Sequence, residues 1–260
     1  MKLLMFGDVV GEAGCAAFCN FAPRLRQQYG ADLILVNGEN SAKGNGITPE
    51  SAERLFHAGA DVITTGNHCF RRKCDALYDN PRVLRPANFP EGAPGSGVFL
   101  LDGGSYTLAV VNLMGTAYME PIDNPFSVID TLLPTLGTKN VFVDFHAEAT
   151  AEKRAMGYYL AGRVSAVIGT HTHVQTADEE IIDGHTAYLT DAGMVGPERS
   201  VLGVCAEQAI RKQRLHLPVT FTEAEPPCMI CGVCISLDTR TGKAQSVARI
   251  FLRESKEQEN

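Results

Sequence analysis

Short apolar runs alternate along the chain with polar clusters and helix-like stretches. The runs are Leu3–Phe6, Leu33–Val36, Val62–Thr65, Leu108–Leu113, Val141–Phe145, Ala166–Ile168 and Ala187–Leu189. Each is short, rich in β-branched or aromatic residues and apolar at consecutive positions, which predicts strands buried on both faces of a sheet. Between the early runs the pattern predicts helices. Thr48-Pro49-Glu50 supplies an N-cap, a proline at the first helical position and an acid in the first turn, with Gly59 as the stop. Thr150 to Ala161 predicts another helix, ended by Gly162. Pro23 interrupts the first helical region and predicts a kink or two short helices.

Further along, the pattern shifts toward strands. Asp183-Gly184 after Ile181-Ile182 predicts a hairpin, and Cys228–Leu237 with Ser246–Leu252 predicts a final antiparallel pair. Gly115–Pro125, carrying Pro121 and Asn124-Pro125, reads as an irregular loop. The expected fold is layered α/β, with βα units first and mainly antiparallel strands later. A chain of 260 residues suits one domain over residues 1–260, with a small cap formed by loops.

Charge narrows the partners. A formal net charge of −7 argues against gripping long nucleic acid, although a local cation can reverse the field in one cleft and admit a small phosphorylated substrate. Met1-Lys2 precedes only four apolar residues before Gly7-Asp8, unlike a signal peptide, and no run is long enough to span a membrane. The expectation is a cytoplasmic protein, without membrane association, whose eight cysteines are reduced. Cys228-Met229-Ile230-Cys231-Gly232-Val233-Cys234 resembles a cluster motif. On a strand, however, Cys231 faces away from Cys228 and Cys234, so packing is the better reading.

The chemistry lies at the ends of the runs. Asp8, Glu39-Asn40, Asn67-His68, His146, and His171 with His173 each follow an apolar run, where loops converge in α/β sheets. On extended backbone His171 and His173 face the same way, roughly 7 Å apart, which suits one imidazole on each of two ions about 3.5–4 Å apart. Glu39 can bridge both ions. Without thiolates the set suits iron or manganese, and catalytic zinc is also compatible. Taken singly, Asp8 and Asn67 could be turn residues and His146 a satisfied core histidine; five coincident run ends argue otherwise. His57, His185 and His216 lack such context. Gly44-Asn45-Gly46 suits either a flexible turn or the rim of a site, and Arg71-Arg72-Lys73 either an anion-attracting patch or a solvated face.

Gly7-Asp8-Val9-Val10-Gly11, Gly38-Glu39-Asn40, Gly66-Asn67-His68, Phe145-His146-Ala147-Glu148 and Gly169-Thr170-His171-Thr172-His173 resemble, in order, the motifs of calcineurin-like metallophosphoesterases. The bacterial YmdB-type branch of 2′,3′-cyclic nucleotide phosphodiesterases matches best. The likeness continues through Arg85–Pro90, His173–Asp178 and Asp191–Pro197. It implies a four-layer α/β/β/α sandwich and two divalent or trivalent transition metal ions. Asp8, Asn40 and His173 would bind one ion, Asn67, His146 and His171 the other, with Glu39 bridging and His68 the catalytic general acid. Val10 stands where the wider superfamily has His, and Glu39 where it has Asp. The branch shares both departures, with Asn40 supplying the missing ligand.

The implied reaction is hydrolysis of a small phosphodiester such as a 2′,3′-cyclic nucleotide. Hydroxide formed at the metals would attack phosphorus in line, and His68 would protonate the leaving ribose oxygen. A phosphomonoesterase or phosphoprotein phosphatase is the nearest alternative. A regulatory RNA- or protein-binding module with incidental catalysis is a more distant one, and a redox role for the cysteines ranks last. The resemblance also carries a homo-oligomer as an expectation.

Overall fold

A computed structural model describes residues 1–254. The first third builds β1 (Lys2–Val9), α1 (Gly11–Tyr29), β2 (Leu33–Asn37), α2 (Pro49–His57) and β3 (Val62–Thr64). The middle adds β4 (Val98–Asp102), β5 (Thr107–Met114), α3 (Pro125–Leu132), β6 (Asn140–His146), α4 (Thr150–Leu160) and β7 (Ala166–Thr170). The remainder supplies β8 (Glu180–Ile182), β9 (Thr186–Leu189), β10 (Met194–Pro197), α5 (Ala206–Leu215), β11 (Cys228–Asp238) and β12 (Lys243–Arg253). Among the described residues no helix is long and apolar enough to cross a membrane.

The strands form two six-stranded mixed sheets, ordered β12-β11-β10-β1-β2-β3 and β4-β5-β6-β7-β9-β8. Every apolar run predicted as a strand is one. The reason is visible in β1, whose side chains alternate between two cores. Leu4 and Phe6 join the cluster holding α1 and α2, while Leu3 and Met5 meet Leu108, Val110, Phe142, Ile168 and Leu189 of the other sheet. A third cluster packs Met156 and Leu160 of α4 and Ile129 of α3 against Val111, Val143 and Phe145. The α2 cap is as predicted, with Thr48 accepting from Ser51 N. The Asp-Gly hairpin joins β8 to β9, and β11 pairs antiparallel with β12.

Two expectations need correction. First, α1 is one helix through Pro23 and not two short ones. Proline removes one N–H from the ladder, and the buried stripe of Phe18, Ala22 and Leu25 holds both halves on the sheet. Second, Pro125 starts α3, with Asn124 as its N-cap, and is not part of the preceding loop. The later strands are mainly antiparallel, as expected: β8 pairs so with β9, β10 with β11, and β11 with both β1 and β12, while β9 also lies parallel to β7 and β10 parallel to β1. The cysteines are all free; Cys228 and Cys234 pack in the α1 core while Cys231 faces the opposite side.

Candidate metal centre and active site

The carboxyl ends of strands from both sheets meet at one place. Asp8 closes β1, Glu39 and Asn40 follow β2, Asn67 and His68 follow β3, His146 closes β6, and His171 and His173 follow β7. Glycine permits the approach at two points. A Cβ on Gly66 would lie 2.0 Å from the His146 ring, and one on Gly7 would lie 1.9 Å from the Gly193 carbonyl oxygen. All the predicted donors come together, in two overlapping groups.

In the first group, Glu39 Oε1 lies 3.2 Å from His146 Nε2, Asn67 Oδ1 lies 3.0 Å from it, and His171 Nδ1 lies 3.1 Å from it. Glu39, His146 and His171 offer ligand atoms all within 4.8 Å of one another. In the second group, His173 Nε2 lies 3.6 Å from Asp8 Oδ1 and 3.3 Å from Asn40 Nδ2. Asn40 turns its amide nitrogen, not its oxygen, toward His173 and Glu39; its oxygen lies 2.9 Å from His68 Nδ1.

The two histidines after β7 divide between the groups, but not through extended backbone. Both adopt left-handed conformations, φ 102° at His171 and 64° at His173. Such backbone is strained for a non-glycine residue and needs support from its surroundings. Here Asp191 supplies it, accepting from Thr172 N at 3.0 Å and Thr172 Oγ1 at 2.8 Å, while Lys153 Nζ donates to the same carboxylate at 2.7 Å. Asp8 Oδ2 also accepts from His171 N at 3.0 Å.

Each histidine of the centre has one ring nitrogen tied outward and the other turned inward. His146 Nδ1 donates to Thr170 Oγ1 at 2.9 Å, and that hydroxyl donates to Asp144 at 2.7 Å. His171 Nε2 lies 3.0 Å from Glu148, and His173 Nδ1 donates to the Leu202 carbonyl at 3.0 Å. Metal-ligating histidines are oriented in this way. Asp8 Oδ1 is buried without a hydrogen-bond partner, the expected condition of an acceptor reserved for a cation. On donor chemistry, therefore, the residues fit a metal centre.

Electrostatics agree. Burial resists charge on His146, yet Glu39 and Asp8 outweigh it and push its pKa up to about 9. Burial likewise opposes ionisation of Glu39, but His146 and His68 hold it well below the usual carboxylate range. Asp8 is lowered despite burial, chiefly by His173, which is itself raised by Asp8. His171 is lowered by burial and by the neighbouring His146 charge.

Several participants were not singled out from sequence. Asp144 bonds Thr64 and Thr170 and so joins both sheets behind His146. Its place two residues before His146 on one strand, hence on the same face, was a readable signal. Glu148 and Asp191 fall within runs that carry the resemblance but had no role assigned to them, and Lys153 carried no comparable signal. Asn45 approaches His68 Nε2 at 3.4 Å, so Gly44-Asn45-Gly46 does form a rim. Arg72 is spent holding that loop through the Lys43 and Asn45 carbonyls.

Donors at the strand ends of two facing sheets suit a metal-assisted hydrolase, and comparison with known proteins makes the chain a phosphoesterase. More narrowly, it belongs to the family described as YmdB-like protein, whose model matches residues 4–250. It is 44% identical to the 2′,3′-cyclic-nucleotide 2′-phosphodiesterase of Bacillus subtilis (strain 168), over 98% of each chain. Among solved structures, a hypothetical protein from Thermus thermophilus is 37% identical with TM-score 0.93, covering 98% of this chain and 100% of that one. A novel phosphatase of Mycoplasma pneumoniae is 33% identical with TM-score 0.94, covering 97% and 93%.

Proposed function

We infer that the chain is a dinuclear metal-dependent phosphodiesterase acting on small phosphodiesters such as 2′,3′-cyclic nucleotides. The observation that carries this reading is the inward set of ring nitrogens, each fixed by an outward hydrogen bond, beside two buried carboxylates. Asp8, His173 and, with its amide turned over to present the oxygen, Asn40 would hold one ion and Asn67, His146 and His171 the other, with Glu39 shared. Two such ions neutralise phosphate oxygens and make water acidic enough to yield a nucleophile near neutral pH. Iron or manganese suits the nitrogen and oxygen donors best, and zinc remains compatible.

The protein's own groups supply the rest. His68 is the one histidine of the set oriented by Asn40 and Glu39 through Nδ1, and its Nε2, which Asn45 approaches at 3.4 Å, would hand a proton to the departing ribose oxygen. Asp144, through Thr170, keeps the His146 ring from turning. The cyclic diester preference is supported by the name of the Bacillus relative. The three apolar clusters support a four-layer α/β/β/α sandwich built as one domain. Eight free cysteines favour the cytoplasm.

Metal-loaded protein assayed on 2′,3′-cyclic AMP, bis-p-nitrophenyl phosphate and p-nitrophenyl phosphate tests the reading. Turnover of the two diesters above the monoester is expected, with loss on Asp8→Ala. No turnover with iron or manganese, or full activity in Asp8→Ala, would overturn it. Faster monoester turnover would favour the phosphomonoesterase alternative instead.

A further inference from the structure

A cavity of about 410 Å³ opens directly beside His173, between the loops after β7 and β10 and the face of β11 and β12. It falls within the roughly 300–1,000 Å³ range of small-molecule sites. His173 stands in both places: Nε2 belongs to the donor set with Asp8, and the same residue forms a wall of the cavity. A ligand held by its phosphate at the donors therefore has adjoining space for whatever its sugar carries.

The lining is chosen for a flat, polar-edged group. Leu202 and Phe251, 47% and 43% exposed, give the cavity its apolar surface. Arg253 lies over the Phe251 ring at 4.7 Å from its centroid, and the ring also lines the cavity. The polar wall pairs one carboxylate with one guanidinium. Gln175 is spent on structure, donating its amide N–H groups to the carbonyls of Gly232 and Ile250 at 2.9 and 3.0 Å. Glu198 accepts from Arg253 through one oxygen only, and Arg249 is engaged through Nε by Glu179 at 2.8 Å. Among the described residues, the second Glu198 oxygen and the outer guanidinium nitrogens of Arg249 have no hydrogen-bond partner.

We propose that this cavity is the nucleobase subsite of the enzyme and that it prefers guanine. The inference rests on the phosphodiesterase reading above and names the part of the substrate that reading leaves open. Guanine presents N–H donors at N1 and N2 to the free oxygen of Glu198. It presents acceptors at O6 and N7 to Arg249, a pairing whose geometry is known from base recognition. Its ring stacks on Phe251.

The chain contains no tryptophan, so Phe251→Trp places a single fluorophore in the wall while keeping an aromatic platform. Guanosine 3′-monophosphate should quench its emission saturably, and inorganic phosphate should not. In the unsubstituted enzyme, kcat/KM for 2′,3′-cyclic GMP should exceed that for methyl riboside 2′,3′-cyclic phosphate, which lacks a base, about tenfold or more. Absence of saturable quenching, together with equal kcat/KM for the two substrates, overturns the subsite and leaves the activity standing. If no diester is turned over, the activity reading fails, and quenching alone decides the cavity. Should Phe251→Trp not fold, crystals of the unsubstituted protein soaked in guanosine 3′-monophosphate decide it by whether base density fills the cavity.

Discussion

Replacing Lys153 with Met tests how the two left-handed histidines are held. Lys153 is 1% exposed and Asp191 is fully buried, with their charges 2.7 Å apart. Removing one partner of a buried pair typically costs about 3–5 kcal/mol, because the other charge is stranded. Asp191 would still accept from Thr172 N, Thr172 Oγ1 and Gly193 N, which places the expected loss near the lower end, about 3 kcal/mol. With a urea slope of about 3 kcal/mol per molar, the midpoint falls by about 1 M. The metal-stripped protein is the one to use, so that bound ions do not mask the loss. Lys153→Met combined with Asp191→Asn should recover much of it, since the stranded charge is gone, giving a coupling of about 2 kcal/mol in the double-mutant cycle. A midpoint shift under about 0.3 M at unchanged slope, or simple additivity in the cycle, refutes the reasoning.

Other expectations follow from the same geometry. Gly66→Ala drives a methyl into the His146 ring, and should cost about 1–3 kcal/mol in urea unfolding along with most metal binding measured by elemental analysis. His68→Ala should retain its metals yet lower kcat by about 10²–10⁴ on 2′,3′-cyclic AMP, with the smallest loss on substrates whose leaving group needs no proton. The metal-free protein has His146 raised from 6.5 to about 9, so the folded state binds the extra proton. That contribution to stability is complete below about pH 6.5 and disappears as pH rises through 9. Thermal midpoints of chelator-treated protein should therefore fall across this window, while midpoints of the metal-loaded protein change less because the cation replaces the proton.

The strands that build the site were legible because they are buried on both sides. A run such as Leu3–Phe6 has no polar face to confuse its period, and the donor at its end stands out. β4 was missed because it is half exposed, with Leu100 and Asp102 open to solvent. α5 buries only Ala209, so it lacks the apolar stripe by which a helix is recognised. The residue types of the donor set were equally legible, since ligand chemistry is written in side chains. Their presentation was not. The spacing of His171 and His173 suggested extended backbone, whereas the left-handed turns depend on Asp191, twenty residues away in sequence, and on Lys153 in α4. Asn40 is a similar case: its identity is plain in the sequence, but which end of its amide faces His173 depends on His68 and Glu39.

The position of β1 also determines when, during synthesis, the enzyme can come into being. The strand ending in Asp8 pairs on one side with residues 33–37 and on the other with β10 and β11, where Leu3 lies opposite Ile235. Every donor has left the ribosome long before residue 235 does. Until then the growing chain keeps one edge of this largely apolar strand open, an edge prone to pairing with other chains. Ions acquired at that stage would meet donors not yet held in place. Metal loading is therefore expected to follow release of the finished chain, and truncation within β11 should yield aggregates rather than a weakened enzyme.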